Sequence, residues 1–564
     1  MKNKKVLFLI MLVFILFIQT NCKNENIKAE EKENSLSEGE KIVYGYVFTA
    51  NDFRPLEQVK VEETQTNGSI TTNEQGFYEL SLESVDCDNL IIEFSKEGFE
   101  SELIKIRDNG KSRQRVDIFL IPELNGNIYY VSPSGDDNNN GSESFPWKTP
   151  GYASRQLRPG DTLIIKKGEY IIQTFDSDII KPSSGNSGNW VLIKGEDGVK
   201  VKGENNIMTL LDLSNSSFVK IENLEFTNNN KSFVRDGVEI LGNVSKNIIL
   251  KKVYIHHLDE FGINVKDINY MVVEYSDIKY CGFGAFGGPH GDYGGIRNLK
   301  VLSSTFSYSG HYYQGGDGSS RPYDRPDGFG IEQSQGPIEI YDSIFEHNYG
   351  DGIDSKSSNT YIHHCIVANN SCDGVKLWRG NSKIENTLIY GTGDGMGGDS
   401  PWAGIVIDCD REGDSFEING VTLHDNEERR AYPIYVQYDS SASVKVRIIN
   451  SIFSGGFGHL WFRENVNLTM EYNLIYIPSR DDQVYANGRL YSQEDVKNGI
   501  LGDGNIFGDP KFVNPAWGNE GDYHLKSDSP AIDKAQKSTS LSDDLEHTRR
   551  PIGSGSDMGA YESK

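Results

Sequence analysis

The 564-residue chain exceeds one typical domain, and its 59 glycines, 29 tyrosines and 26 phenylalanines, with many Asn and Asp, favour strands and tight turns over helices. A net charge of −26 argues against nucleic acid as a partner and repels polyanions, so an acidic substrate requires a local basic patch or a bound cation. The six cysteines are scattered without a Cys-x-x-Cys pair or a zinc spacing, which excludes a disulfide scaffold and leaves most of them as buried small apolar residues.

The chain opens Met1-Lys2-Asn3-Lys4-Lys5, followed by an apolar run over 6–18. That run is shorter than the roughly 20 residues a bilayer-spanning helix needs, so it reads as a secretory signal. It ends Gln19-Thr20-Asn21-Cys22, which resembles a bacterial lipobox although it lacks the usual Leu three residues before Cys and the small residue just before it. The resemblance implies that 1–21 is removed and that Cys22 is lipidated. The expected location is the bacterial envelope, as an outer-membrane lipoprotein at the cell surface or a secreted protein, touching membrane only through that anchor. Residues 22–40 are Lys, Glu, Asn and Ser with almost nothing apolar, and read as a flexible tether.

Over 41–123 short runs alternate in the strand period, among them Ile42-Val43-Tyr44-Gly45-Tyr46-Val47 and Leu90-Ile91-Ile92-Glu93-Phe94, separated by turn signals such as Asn67-Gly68. A small β-sandwich is expected. The pattern Pro55-Leu56, Val59-x-Val61, Thr72-Asn73-Glu74-x-Gly76-x-Tyr78 resembles the carboxypeptidase regulatory-like, transthyretin-like domain, which implies a spacer or docking module. Sugar binding is the alternative role.

From 127 to 564 the expected fold is a right-handed, single-stranded parallel β-helix, making the whole chain all-β. Tyr129-Tyr130-Val131-Ser132-Pro133 and Gly160-Asp161-Thr162-Leu163 resemble the first coil of extracellular β-helix polysaccharide enzymes. A β-branched run, a polar turn and another run then recur, and aligning them on Ser343, Cys365 and Thr387 gives steps of 22 residues, within solenoid range. The Leu-x-x-Leu-x-Leu skeleton of a leucine-rich repeat is absent. The segment Tyr523-His524-Leu525 to Asp557-Met558-Gly559-Ala560-Tyr561 reads as structural, closing the solenoid.

Polar residues outside the strand period are densest between 282 and 410. There Asp327-Gly328, Asp351-Gly352 and Asp373-Gly374 start three coils at similar phase. A parallel β-helix stacks such positions about 4.8 Å apart, where carboxylates repel unless a cation neutralises them. Asp327, Asp351 and Asp354 are therefore candidate ligands for Ca²⁺, which takes six to eight oxygens. The competing reading is that Asp-Gly merely makes turns. The order Asp-Gly-Phe, Asp-Gly-x-Asp, Asp-Gly-Val-Lys resembles the ninth polysaccharide lyase family, which includes β-helix pectate lyases. That resemblance implies that Asp327, Asp351 and Asp354 bind calcium and that Lys376 is the base. Two departures stand out: Gly350 occupies a position where the family has a further Asp, and the interval to Lys376 is short. A second resemblance, of Asp354-Ser355-Lys356-Ser357 and Leu377-Trp378-Arg379 to alginate lyases and chondroitinase B, implies Lys356 as base with Arg379 as partner. Trp378, His311 and His290 are candidates for contacting substrate.

Both resemblances imply one chemistry. The proton at C5 of a uronic acid is removed by a lysine, the developing charge beside its carboxylate is stabilised by Ca²⁺ or Arg379, and the O4-linked sugar is eliminated. A free lysine has a pKa of about 10.4, so nearby cations must outweigh the aspartates for the amine to lose its proton. The expected function is a monomeric, Ca²⁺-dependent lyase acting on an acidic polysaccharide. Its alternatives are an epimerase, a hydrolase (whose ordered carboxylate motifs are absent) and a non-catalytic glycan-binding solenoid.

Overall fold

The computed structural model describes residues 41–65, 68–82, 90–106, 111–174, 177–315, 325–393, 402–425, 431–518, 520–539 and 541–563. The expected signal, the expected lipidation site Cys22, the expected tether and Cys87 lie outside the described residues.

The alternating runs of the first domain form two sheets packed face to face. In one, Lys41–Thr49 pairs antiparallel with Phe77–Leu82 and parallel with Arg113–Arg115 and Ile118–Leu120. The other is Ser69–Thr71, Lys60–Glu63, Leu90–Ser95 and Glu102–Ile106. Val43, Val47, Val61, Tyr78, Ile92 and Phe94 fill the space between them, as strands that bury alternate residues require.

The rest of the chain winds as a right-handed parallel β-helix with three sheets. One coil contributes Ile338–Tyr341 to the first, Ile344–Glu346 to the second and Ile353–Ser357 to the third. The next contributes Thr360–His363, Ile366–Ala368 and Val375–Leu377. Ile338 pairs with Thr360, Ile344 with Ile366 and Ile353 with Val375, so the 22-residue step is the coil itself. Inside, like stacks on like. Phe306 lies 5.1 Å from Phe345 and Phe286 4.8 Å from Phe329, and the Asn348 side-chain amide donates to Asn370 Oδ1 at 2.9 Å. The turn between the first and second sheets places Tyr275, Ser303, Asp342, His364 and Asn386 at positive φ, a conformation in which Asn and Asp are enriched. The third sheet ends when Arg489–Ser492 folds back antiparallel on Asp482–Ala486. Cys281, Cys365, Cys372 and Cys409 are free and buried.

The C-terminal segment does more than close the solenoid. It runs along the outer face of the second sheet, laying Phe512, Tyr523, Leu545, Met558 and Tyr561 against Leu388, Tyr390, Ile452 and Leu474.

The sandwich is seated on the solenoid. Ala50, Phe119 and Ile121 pack on Trp190, Ile249, Val272, Leu302 and Tyr341. The Glu102 carboxylate accepts from Lys220 Nζ at 2.8 Å and Lys251 Nζ at 2.6 Å, with Lys251 only 1% exposed. Glu274 lies 3.2 Å from Lys251 and Glu222 3.4 Å from Lys220. Burial pushes the Glu102 carboxyl up, but the two ammonium groups outweigh it and hold it well below the usual range. A second latch joins sandwich, solenoid and tail. His547 Nε2 is 2.9 Å from Asp342 Oδ1 and its Nδ1 2.9 Å from the Tyr44 hydroxyl, which donates to Asp543 Oδ2 at 2.8 Å. Burial disfavours the imidazolium, yet Asp342 and Asp543 prevail and push its pKa up to about 9.

Two outcomes are expected. Glu102→Ala leaves two buried ammonium groups sharing fewer carboxylates and costs about 3 kcal/mol in denaturant unfolding, the low end for breaking a buried pair because Glu222 and Glu274 remain. His547 is raised above its ordinary pKa of about 6.5, so its contribution is complete below that pH and is lost as pH rises through about 9. His547→Gln is expected to be less stable at pH 6 and to lack that decline in unfolding free energy between pH 6.5 and 9.

Candidate functional site

The aspartates of the Asp-Gly turns line the edge where the chain enters the third sheet. Asp327 begins the strand Asp327–Ser334, Asp351 precedes Ile353–Ser357, and Asp373 precedes Val375–Leu377. Each carboxylate reaches forward one coil. Asp327 Oδ1 accepts from the Asp351 N–H, Asp351 Oδ1 from the Asp373 N–H and Asp373 Oδ1 from the Ala403 N–H, each at 2.8 Å. One oxygen of each thus caps the backbone of the next coil, and the other oxygen of Asp351 and of Asp373 faces Lys376.

Asp354 lies on the outward face of its strand, in register with Gly330 before it and Lys376 after it. The structure brings Asp327, Asp351 and Asp354 together: one oxygen from each lies within 4.8 Å of the others. Lys376 stands beside them, its Nζ 3.9 Å from Asp351 Oδ2 and 3.4 Å from Asp373 Oδ2. Gly350 has a steric reason. A Cβ there would meet the Arg325 carbonyl oxygen at 2.2 Å and Asp327 Oδ1 at 2.3 Å, so the space of an additional side chain is taken by the Asp327 carboxylate itself.

The electrostatics follow from burial. Asp327 is pushed far above the carboxylate range by desolvation and by repulsion from Asp351 and Asp354. Asp354 is raised to about 7 by burial and then by Asp351, and Asp373 to about 7 by the same two causes. Burial lowers the pKa of Lys376, but Asp351, Asp373 and Asp354 more than compensate and hold it above an ordinary lysine. The set offers hard, closely spaced, mutually repelling oxygens, the donor chemistry that suits a divalent cation such as Ca²⁺.

The other candidates are placed differently. Trp378 donates from Nε1 to Asp354 Oδ1 at 2.6 Å, with the ammonium groups of Lys376 and Lys356 at 5.4 and 5.8 Å from its ring. Lys356 is engaged by Glu332 at 2.6 Å and lies 4.0 Å from Asp354 Oδ2. Arg379, in the turn that leaves the third sheet, is paired with Asp410. His311 stacks on Tyr349 at 3.9 Å in the turn between the second and third sheets, and His290 is exposed in the loop after Gly284–Gly287. No hydrogen bond or ion pair links either histidine to the carboxylates among the described residues. Asp373 shares the Asp-Gly phase of Asp327 and Asp351 but is not among the candidate ligands, and at 3.4 Å it is the nearest carboxylate to the Lys376 amine among the described residues.

Residues 129–399 match the family model described as Pel9A-like, right handed beta helix region. Solved structures of similar shape include pectate lyase Pel9A, at 18% identity over 78% of this chain and 97% of that one with a TM-score of 0.47. XylC in complex with xylose aligns at 10% identity over 77% and 98% with a TM-score of 0.51. The A-module of the Azotobacter vinelandii mannuronan C-5 epimerase AlgE4 aligns at 12% identity over 67% and 97% with a TM-score of 0.44. No curated protein sequence matches. At such identities the structural likeness is one of fold, a right-handed parallel β-helix.

Proposed function

We propose that this chain is a polysaccharide lyase that cleaves an acidic, uronate-containing polymer by β-elimination. In this reading Lys376 is the base, and Asp327, Asp351 and Asp354 hold Ca²⁺. One observation carries it: an amine stands within 3.9 Å of a half-buried row of carboxylates whose oxygens converge. A bound Ca²⁺ would supply the counter-charge that offsets the aspartates and favours the ionised uronate and the charge developing beside it. Once the field of the aspartates is offset, burial works in the opposite direction and favours the neutral amine of Lys376. Nζ then takes the C5 proton, the electron pair forms the C4–C5 double bond, and O4 departs and takes up a proton from water. Asp373, 3.4 Å from Nζ, keeps the amine aimed along the row. Trp378 fixes Asp354 through its N–H, and its ring lies 5.4 Å from the Lys376 ammonium and 5.8 Å from that of Lys356.

Lys356 is drawn to Glu332 and Arg379 to Asp410, whereas Lys376 lies against the carboxylate row itself, which favours Lys376 as the base over the alginate-lyase-like arrangement. The N-terminal features complete the proposal: export, a lipid anchor at Cys22, and a carboxypeptidase regulatory-like sandwich that braces the solenoid at the cell surface.

On a panel of pectate, alginate and glycosaminoglycans, the wild-type protein is expected to release product absorbing in the ultraviolet. Lys376→Ala is expected to lower that rate by about 10²- to 10⁴-fold, the usual worth of a general base, while Lys356→Ala retains most of it. Absence of unsaturated product from the folded wild-type protein on every uronate polymer would refute the lyase reading. Chelation with EDTA is expected to stop the reaction. Ca²⁺ at about 100 times its Kd is expected to stabilise the protein by about 2.7 kcal/mol in thermal unfolding. Asp354→Asn is expected to abolish that gain and, by removing one of the repelling carboxylates, to raise the melting temperature in chelator.

A further inference from the structure

A second convergent set of ligand atoms lies where sandwich, solenoid and tail meet. Tyr341 and His363 are paired in register, so the turn residues after them, Asp342 and His364, stack one coil apart, both at positive φ. The tail brings His547 onto the pair. A carboxylate oxygen of Asp342 and one ring nitrogen from each histidine lie within 4.8 Å of one another. The side chains of His364 and His547 are 8% exposed and that of Asp342 is 15% exposed. Hydrogen bonds fix which nitrogens face the set. Glu339 Oε1 accepts from His363 Nε2 at 3.3 Å, so His363 Nδ1 is bare and accepts from His364 Nδ1 at 2.9 Å. That leaves His364 Nε2 without a proton, and there it accepts from Asn386 Nδ2 at 3.3 Å. On the other ring, the Tyr44 hydroxyl donates to Asp543 Oδ2 and so accepts from His547 Nδ1 at 2.9 Å. His547 Nε2 is then the nitrogen turned to Asp342 Oδ1, at 2.9 Å. Metal-binding histidines are ordinarily held in this way, with the nitrogen that does not touch the ion tied to a carboxylate or another polar group. Here the two ties end on Glu339 and Asp543.

We propose that Asp342, His364 and His547 form a transition-metal site, with Zn²⁺ the fitting ion, that clips the tail to two successive coils. Two imidazole nitrogens and a carboxylate are donors that Zn²⁺ takes, unlike the all-oxygen row suited to Ca²⁺, with which this set shares no residue. With both rings neutral, Asp342 and Asp543 leave two negative charges for a divalent ion to balance. At zinc bond lengths of about 2.0–2.1 Å, tetrahedral ligand atoms stand about 3.3 Å apart. The 2.9 Å between His547 Nε2 and Asp342 Oδ1 therefore opens by only a few tenths of an ångström to admit the ion. Asn386 Nδ2 gives up its bond to His364 but keeps the Asp543 carbonyl at 2.9 Å. A cavity of about 240 Å³ lined by all three ligands offers an entry path and room for a water as the fourth. Arg115 lines the same cavity, with its charge held by Asp117 at 2.8 Å. Without metal the hydrogen bond from His547 to Asp342 holds the latch, and with metal the ion stands between the same two atoms.

The test uses the untagged full chain carrying Asp354→Asn, so that the carboxylate row does not compete. The protein is stripped with chelator and titrated with Zn²⁺ by calorimetry near neutral pH. One equivalent is expected to bind and to raise the melting temperature, and Co²⁺ in its place is expected to give the visible absorption of a tetrahedral site. His364→Gln in the same background is expected to weaken Zn²⁺ binding by about 100-fold or more and to abolish the Co²⁺ spectrum. Tyr44→Phe, which removes an outer partner rather than a ligand, is expected to weaken it by about tenfold. Should His364→Gln fail to fold, Asp342→Asn is read in the same way. The proposal is overturned if the Asp354→Asn protein takes up no Zn²⁺ at micromolar concentration, or if the folded His364 or Asp342 variant binds it as tightly as the parent. No uronate polymer enters the measurement, so failure of the lyase reading leaves its outcome unchanged.

Discussion

Strict coil-on-coil register governs this molecule. Parallel strands one spacing apart place equivalent residues directly above one another, so whatever a coil carries at a given phase is met by the same phase of its neighbours. For apolar residues this produces the stacked phenylalanines and asparagines of the interior. For Asp327, Asp351 and Asp373 it produces like charges in a column. The fold accommodates them in two ways: each carboxylate caps a backbone N–H of the next coil, and a lysine is drawn in at the same edge. Burial, and after it the repulsion from Asp351, pushes Asp354 and Asp373 towards neutrality. A site that can accept positive charge is thus a direct product of the repeat.

The sandwich extends the same logic. A solenoid exposes the outer faces of its sheets, and here two of the three are covered by other parts of the chain. The sandwich takes part of the first sheet through Glu102 and an apolar patch. The C-terminal segment takes the second. The third carries Asp354 and Lys376 on its outward face.

Much of this could be read from the chain. The 22-residue step was visible because successive coils around Ser343, Cys365 and Thr387 have equal length, and the Asp-Gly turns stood out because the pair recurs at one phase. What could not be read depended on distance or on unequal spacing. Glu102 meets Lys220 and Lys251 across 118 and 149 residues, with no local pattern to announce it. Val406, Tyr435, Trp461 and Tyr485 follow Lys376 in register on the third sheet only after loops of different length are folded out, so no fixed period connects them. Lys376 could be named, but its tie to Asp373 needed the side-chain directions. The absence of a side chain at Gly350 looked like a loss until the Asp327 carboxylate was found in its place.

The tail's path has a consequence for the growth of the repeat. Tyr44 and His547, 503 residues apart in sequence, are held 2.9 Å apart, with the tail in between clamped along coils from Leu388 to Leu474. Duplicating or deleting one coil within that stretch would displace the far anchor by about 4.8 Å, more than a hydrogen bond can stretch. Repeat proteins ordinarily gain and lose units with ease. This one carries a ruler in residues 512–561, which ties the number of turns it spans to the length of that segment.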